Sequence, residues 1–156
     1  MSELSAKPPS RSRTILSQLM QPEHSNSRGN VHGGWVMKLV DEAGALACMR
    51  HAQNRVVTVA VDSMTFKHSI AIGDLMILEA VVSYVGRTSL EAEVLVYSEN
   101  PVSGERMLTN TAYLVYVALD EDGKPVEVPD LLLETEEDNQ RYQAGQARQK
   151  ARLARL

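Results

Sequence analysis

The chain is poor in cysteine and aromatic residues, with one cysteine, one tryptophan and one phenylalanine among 156 residues. The single cysteine, Cys48, cannot form an intrachain disulfide, which fits a reducing compartment. No apolar run approaches the ~20 residues that a membrane-spanning helix needs, and the N-terminal segment lacks the apolar centre of a secretory signal. A formal net charge of −4 argues against a protein that coats nucleic acid. We therefore expect a cytoplasmic protein that binds neither a membrane nor nucleic acid.

Hydrophobic residues make up 44% of the chain, which is enough for one globular domain with a core. Residues 1–12, which carry a glutamate and two prolines, are predicted to be a disordered leader. Residues 35–51 are predicted to form a helix, because aliphatic side chains recur there at steps of three and four. These side chains are Val36, Leu39, Val40, Ala43, Leu46 and Ala47.

Four strands are predicted to follow this helix, separated by short turns. They cover residues 55–66, 75–85, 88–97 and 107–119. Short turns join antiparallel neighbours. The segment between the leader and the helix is predicted to be either a further strand or a helical turn. A long helix that precedes an antiparallel sheet of four or five strands must pack on one face of that sheet, which indicates an α+β fold.

The C-terminal region has separated charges. Residues 120–138 contain nine acidic side chains and one lysine, whereas residues 141–156 contain five basic side chains and no acidic one. Acids at the start and bases at the end of a helix complement its dipole, so residues 134–156 are predicted to form a helix. Its apolar stripe is thin and consists of Ala144, Ala147, Ala151 and Ala154. The basic end is either a solvated surface or a patch that meets phosphate.

Asp41 is an unusual carboxylate within the predicted helix. On a helical wheel it points about 160° away from the aliphatic face, yet its neighbours on that side are small or apolar. They are Gly34, Met37, Gly44, Ala45 and Cys48. A helix that is apolar on two sides is buried on two sides, so the second face is expected to meet a partner subunit or a ligand. Asp41 is then a functional group or a paired structural carboxylate, unless the helix is phased differently.

Gly33 and Gly34 immediately precede the predicted helix. The first N–H groups of a helix lack internal acceptors, and residues without a Cβ let a ligand oxygen approach those donors. The pair is also compatible with simple turn chemistry. Beside it, Asn30 could orient a water molecule or a carbonyl or be a turn residue, and His32 could be a base or a structural residue.

The order of short motifs resembles that of the hotdog-fold acyl-CoA thioesterases. The chain is most similar to their cytosolic acyl-CoA hydrolase (brain-type) branch and its bacterial single-domain members. The motifs are NVHGG, DEAG, VTVAVDSMTF, GD, VGRTSL and ALDEDGKP, and the resemblance extends from about residue 13 to about residue 150. It implies a hotdog domain over residues 13–133, in which a five- to six-stranded antiparallel sheet wraps a long central helix. It also implies a homodimer with shared active sites, and further assembly into a trimer of dimers.

The resemblance also implies roles for individual residues. Asn30 and Asp41, eleven residues apart, match the catalytic pair that meets across the dimer interface. Asp41 would be the general base or the nucleophile, and Asn30 of the other subunit would hold the water or the thioester. Backbone N–H groups at Gly33 and Gly34 would bind the thioester oxygen. The residues expected to contact coenzyme A are Arg87, Thr88, Ser89, Arg148 and Arg152, with Thr88 also assisting the water.

The function implied is hydrolysis of fatty acyl-CoA to a free fatty acid and coenzyme A. Coenzyme A is then part of the substrate and the product, and we expect no cofactor and no metal. Three alternatives remain from the sequence. They are an acyl-thioester dehydratase of the same fold, a non-catalytic module that binds coenzyme A or a nucleotide, and a nucleic-acid-binding protein that uses the basic tail.

Overall fold

The computed structural model describes residues 4–156, in which one long helix precedes four consecutive strands. The helices are α1 (Pro9–Ser12), α2 (Gly33–Ala52) and α3 (Glu136–Ala154), and a short 3-10 turn covers Pro22–His24. The strands are β1 (Thr14–Leu19), β2 (Arg55–Phe66), β3 (Leu75–Val85), β4 (Ser89–Glu99) and β5 (Arg106–Leu119). None of the helices within residues 4–156 has the length and apolar character needed to cross a membrane.

The five strands form one antiparallel sheet in the order β1-β3-β4-β5-β2. Consecutive strands β3, β4 and β5 are hairpin neighbours, whereas β2 pairs with β5 and leaves its other edge open. This arrangement confirms the predicted α+β hotdog fold. The segment after the leader, which the sequence left open, is the edge strand β1.

The core lies between α2 and the sheet face that it covers. The predicted alternation in β4 is confirmed, because its inward side chains are at most 1% exposed; these are Leu90, Ala92, Val94 and Val96. The aliphatic face of α2 is buried as predicted, except that Leu46 is 36% exposed. Burial of this apolar surface is the main stabilising contribution to the fold.

The N-terminal segment differs from the expected disordered leader over residues 1–12. Residues 8 to 13 contain the turn of α1, in which Pro9 and Ser12 are buried. The N–H of Lys7 donates to the carbonyl of Asp130, and the N–H of Leu132 donates to the carbonyl of Lys7. These bonds attach the segment to the chain that follows β5, and residues 1–3 lie outside the described part.

Helix α3 crosses the outer face of the sheet, away from α2. It begins at Thr135, whose hydroxyl accepts from the N–H of Asp138 while the Asp138 carboxylate accepts from the N–H of Thr135. The alanine stripe predicted to be its apolar face is exposed to solvent. The buried contact is instead Gly145, where a Cβ would lie 2.7 Å from Tyr84 and 2.9 Å from a Glu91 oxygen. The helix therefore packs through a glycine and its long polar side chains.

Candidate active site

Asp41 lies half-buried on α2 and accepts hydrogen bonds from two strands. The Thr58 hydroxyl on β2 donates to Oδ1 at 2.8 Å, and the Tyr116 hydroxyl on β5 donates to the same oxygen at 3.0 Å. Tyr116 also lies 3.0 Å from the main-chain carbonyl of Asp41. Both side-chain donors use Oδ1, so Oδ2 has no donor among residues 4–156. One carboxylate oxygen is therefore fixed and the other can accept a proton.

Gly44 explains how Tyr116 comes so close to α2. A Cβ at Gly44 would lie 2.5 Å from the Tyr116 hydroxyl oxygen, which is far inside contact distance. Burial, and next the charge of Asp41, raise the pKa of Tyr116 well above its ordinary value, so the phenol remains a donor. Sequence reasoning noted that the residues beside Asp41 are small, but it did not identify Tyr116 or Thr58.

Cys48 lies one helical turn after Gly44, on the same side of α2 as Asp41, and is fully buried. Burial, and then the charge of Glu91, raise the pKa of its thiol. A thiol that stays protonated is a poor nucleophile. Within the described residues, no three His, Cys, Asp or Glu side chains lie close enough together to hold a metal ion.

The cavity beside Asp41 has a volume of about 270 Å³ and mainly apolar walls. Its lining includes Met37, Thr58, Val61, Met64 and Leu114. Met37 and Val61 are 48% and 49% exposed, because the cavity opens at the free edge of β2. The second face of α2 is therefore only partly covered by the chain itself.

A second cavity, of about 300 Å³, lies at the start of α2. Asn30 and Gly33 line it together with Phe66 at the end of β2 and Asn110 on β5. Asn26, in the loop before α2, also lines this cavity. Within one chain, Asn30 and Asp41 therefore line different cavities.

The glycine pair forms the first turn of α2 and does not precede the helix as the sequence suggested. His32 is the N-cap, and its Nδ1 accepts from the N–H of Gly34 at 2.9 Å. The N–H groups of Trp35 and Val36 donate to the carbonyl of His32. The N–H of Gly33 has no acceptor among residues 4–156. His32 is thus a capping residue, and Gly33 presents the free donor of this turn.

Asn26 is a polar residue of this cavity that sequence reasoning missed. Its Oδ1 accepts from the N–H groups of Arg28 at 2.8 Å and Asn30 at 3.2 Å, so the amide is oriented by its own loop. Its Nδ2 has no acceptor within the described part of the chain. In the sequence, an asparagine in a Ser/Asn/Gly segment is indistinguishable from an ordinary turn residue.

Arg87, Thr88 and Ser89 lie in the turn from β3 to β4, with Ser89 as the first residue of β4. The Arg87 side chain is 79% exposed, and its contact with Glu127 is long at 3.5 Å. The carbonyl of Thr88 accepts from the N–H of Ala118. The Arg87 guanidinium is thus mostly open to solvent and has one long contact with a carboxylate.

Arg148 and Arg152 of α3 are already paired with carboxylates. Arg148 makes two hydrogen bonds to Glu91, at 2.9 and 2.7 Å, and lies 3.6 Å above the Tyr113 ring. Arg152 donates to Asp62 at 2.7 Å. Hydrogen bonding to Glu91 is the main cause that raises the pKa of Arg148. Glu91 and Asp62 thus occupy two N–H donors of Arg148 and one of Arg152, and the role of both arginines at coenzyme A phosphates stays a prediction.

The fold and the site define a class: a hotdog protein with a carboxylate in an apolar cavity beside the central helix. Residues 28–105 match the model of the thioesterase superfamily. A Bacillus subtilis protein described as an uncharacterised acyl-CoA thioester hydrolase is 36% identical over 127 residues, which are 81% of this chain and 74% of that protein. The cytosolic acyl coenzyme A thioester hydrolase of Rattus norvegicus is 35% identical over 139 residues, 88% of this chain, and the match spans only 36% of that longer protein.

Solved structures agree with these relatives. The crystal structure of an apo-hexameric acyl-CoA thioesterase superposes with a TM-score of 0.93 at 43% identity, covering 97% of both chains. An acyl-CoA hydrolase from Staphylococcus aureus, solved with butyryl coenzyme A and coenzyme A, gives 0.90 at 33% identity over 96% of this chain and 92% of that one. This chain belongs to the acyl-CoA thioester hydrolases of the thioesterase superfamily. The predicted resemblance is confirmed, and hydrolysis of an acyl-CoA thioester is the reaction.

Proposed function

We propose that Asp41 is the group that carries out this hydrolysis, acting on fatty acyl-CoA as a general base toward water or as a nucleophile. The observation that supports this role most directly is its hydrogen bonding. Thr58 and Tyr116 hold Oδ1, while Oδ2 remains available beside an apolar cavity. A base within hydrogen-bond reach of water contributes to the rate through proton transfer in the transition state. The thiolate of coenzyme A is a good leaving group, so the proposal includes no catalytic acid, metal or cofactor.

The complete site is proposed to form between two copies of the chain. Strand β2 has an open edge of 12 residues, and three of its valines and its terminal phenylalanine are 43% to 54% exposed. These are Val57, Val59, Val61 and Phe66. A long apolar edge strand is a pairing surface, and two copies joined there would bring together an Asp41 cavity and the helix-start cavity of the partner. Hexamers are described for relatives, which supports a trimer of such dimers. We also propose a cytoplasmic location.

Gly33 is proposed to stabilise the thioester oxygen as it gains negative charge. Its N–H is the donor of the first turn without an acceptor in the described chain, and it points from a helix start, where the dipole favours negative charge. Gly34 donates to His32, so its contribution would require displacement of that cap.

Asn26 is proposed as the amide that holds water or thioester, ahead of Asn30. In the S. aureus hydrolase, alanine variants of an aspartate, an asparagine and a threonine have been solved. In that enzyme's numbering, the asparagine precedes the aspartate by fifteen residues and the threonine follows it by seventeen. Counted from Asp41, these spacings lead to Asn26 and Thr58. Thr58 does contact Asp41, which supports the same spacing for Asn26.

Coenzyme A is proposed to lie along the turn of Arg87, Thr88 and Ser89, with Arg87 as the phosphate ligand. The Arg87 side chain is 79% exposed, whereas those of Arg148 and Arg152 are 24% and 18% exposed and already neutralised by Glu91 and Asp62. Replacing Arg87 with alanine is expected to raise KM for acyl-CoA and to leave KM unchanged for the matching N-acetylcysteamine thioester, which has no phosphate. Equal changes for both substrates would contradict this placement.

The experiment that tests the site is turnover of a panel of acyl-CoAs, followed by detection of the free thiol. We expect Asp41→Asn and Asn26→Ala to lower kcat at least about a hundredfold, the first through loss of general-base catalysis and the second through loss of the amide that positions the water or the thioester. Thr58→Val should lower kcat less, because Tyr116 still holds Oδ1. Asn30→Ala is the matched comparison for Asn26→Ala. Full activity in Asp41→Asn would overturn the mechanism, and a larger loss in Asn30→Ala than in Asn26→Ala would restore Asn30 to the role.

A further inference from the structure

Asn110 has a buried side-chain amide whose oxygen accepts no hydrogen bond from the described residues. It is 1% exposed, and its Nδ2 donates to the main-chain carbonyl of Thr65 at 3.1 Å. A carbonyl can only accept, so Nδ2 must face Thr65 and Oδ1 must point the other way. Among residues 4–156, no donor lies within hydrogen-bond distance of Oδ1. A buried acceptor without a partner is unfavourable because it has lost its hydrogen bonds to water, so we expect Oδ1 to accept from a bound ligand.

Asn110 lies near the proposed thioester-binding residues. It pairs with Phe66 across β2 and β5, and it lines the same cavity as Gly33 and Asn26. By strand alternation it shares the inward face of β5 with Ala112, Leu114 and Tyr116. Asn110 therefore lines the cavity in which the free N–H of Gly33 is proposed to bind the thioester, and its unused oxygen is itself buried.

The chemistry of the substrate supplies a donor at the right place. In any acyl-CoA the thioester sulfur is followed by two methylene groups and then by the amide N–H of the cysteamine unit. A thioester bound at Gly33 would bring that N–H, the first hydrogen-bond donor of the coenzyme arm, into the same cavity. We propose that Oδ1 of Asn110 accepts a hydrogen bond from the cysteamine N–H, which makes Asn110 a residue that selects thioesters of pantetheine-type thiols. This inference rests on the proposed function.

Two small substrates isolate this hydrogen bond. One is an acyl thioester of N-acetylcysteamine, and the other is the same acyl thioester of 2-mercaptoethyl acetate, in which an ester oxygen replaces the N–H. We expect the wild-type enzyme to prefer the amide by about tenfold in kcat/KM, since the ester leaves Oδ1 unpaired. The preference should fall to about one in Asn110→Leu, which has similar volume and no acceptor.

The controls separate a lost contact from a damaged fold. Thr109→Val removes the neighbouring buried hydroxyl, which donates to the Val96 carbonyl, and should keep the preference for the amide. Thermal unfolding of each variant reports the fold, and the wild-type ratio needs no variant at all. A wild-type ratio near one, or an unchanged ratio in a folded Asn110→Leu, would overturn the inference. A wild-type enzyme that hydrolyses neither acyl-CoA nor the amide substrate would instead overturn the proposed function.

Discussion

At the scale of single residues, the site depends on one glycine that lets a tyrosine reach a carboxylate. Tyr116 contacts Asp41 only because Gly44 has no side chain in its path. The sequence showed Gly44 beside Asp41, but it could not show that a residue 72 positions later would occupy the space. Long-range side-chain contacts of this kind depend on strand register, which a single sequence does not specify.

The direction in which Gly44→Ala changes the stability therefore distinguishes the higher helix propensity of alanine from a steric clash with Tyr116. Alanine in a helix interior is normally more stable than glycine by about 1 kcal/mol, so an unobstructed site would gain stability. Here the new Cβ must displace Tyr116, and we expect a lower Tm and a lower kcat, because overpacking costs about 1–3 kcal/mol. Thermal unfolding and thiol release measure both quantities.

The double variant Gly44→Ala with Tyr116→Phe is the control for this clash. It removes the hydroxyl oxygen that lies closest to the new Cβ, so part of the lost stability should return. It cannot restore the hydrogen bond to Asp41, so kcat should stay low. A Tm for Gly44→Ala above that of the wild type would contradict the described packing.

At the scale of elements, α3 is held on the sheet by ion pairs with buried carboxylates. Glu91 is 3% exposed and also accepts from the Ser83 hydroxyl at 2.6 Å. Arg148→Met should lower the free energy of unfolding by about 3 kcal/mol, because it leaves this carboxylate buried without its cation. Urea denaturation measures the change.

Arg87→Met is the matched control for that prediction. Its pair with Glu127 is exposed on both sides, so its loss should change stability by less than about 0.5 kcal/mol. Equal effects of the two substitutions would show that α3 is not held by its arginines. KM for acyl-CoA gives an independent comparison, since only the Arg87 variant should raise it.

Most elements could be predicted from the sequence because their periodicity is strong. The bounds predicted for β2 and β3 agree with the structure, and those of α2 differ by one or two residues at each end. The packing of α3 could not be predicted in this way. Its alanines suggested an apolar face, whereas Gly145 and long arginines form the contact, because the sheet below it presents carboxylates.

At the scale of the whole molecule, the open edge of β2 connects assembly with activity. A charged side chain on an edge strand blocks pairing with another edge. Val59→Lys, at a valine that is 54% exposed, should convert the protein to monomers and remove most activity. Val102→Lys, at a loop valine that is 96% exposed, should change neither property. Sedimentation velocity measures the mass, and a fully active Val59→Lys monomer would show that one chain contains a complete site.

The sequence alone predicts the proposed catalytic site only in part. Asp41 stands out because its surroundings on the wheel are apolar, and this signal lies within one helix. Asn26, Thr58 and Tyr116 do not stand out, because each has an ordinary polar role in its own segment. Their relation to Asp41 arises from the fold and, for Asn26, from proposed pairing with a second copy.

The most direct test of a site shared between two copies is complementation between two inactive variants. Asp41→Asn and Asn26→Ala are expressed with different tags, separately and together, and the thiol released per subunit is measured. Random pairing makes half of the dimers mixed, and each mixed dimer has one intact site, so activity should recover to about one quarter of the wild-type value. A co-expressed protein that carries both tags and remains as inactive as either variant alone would contradict the shared site.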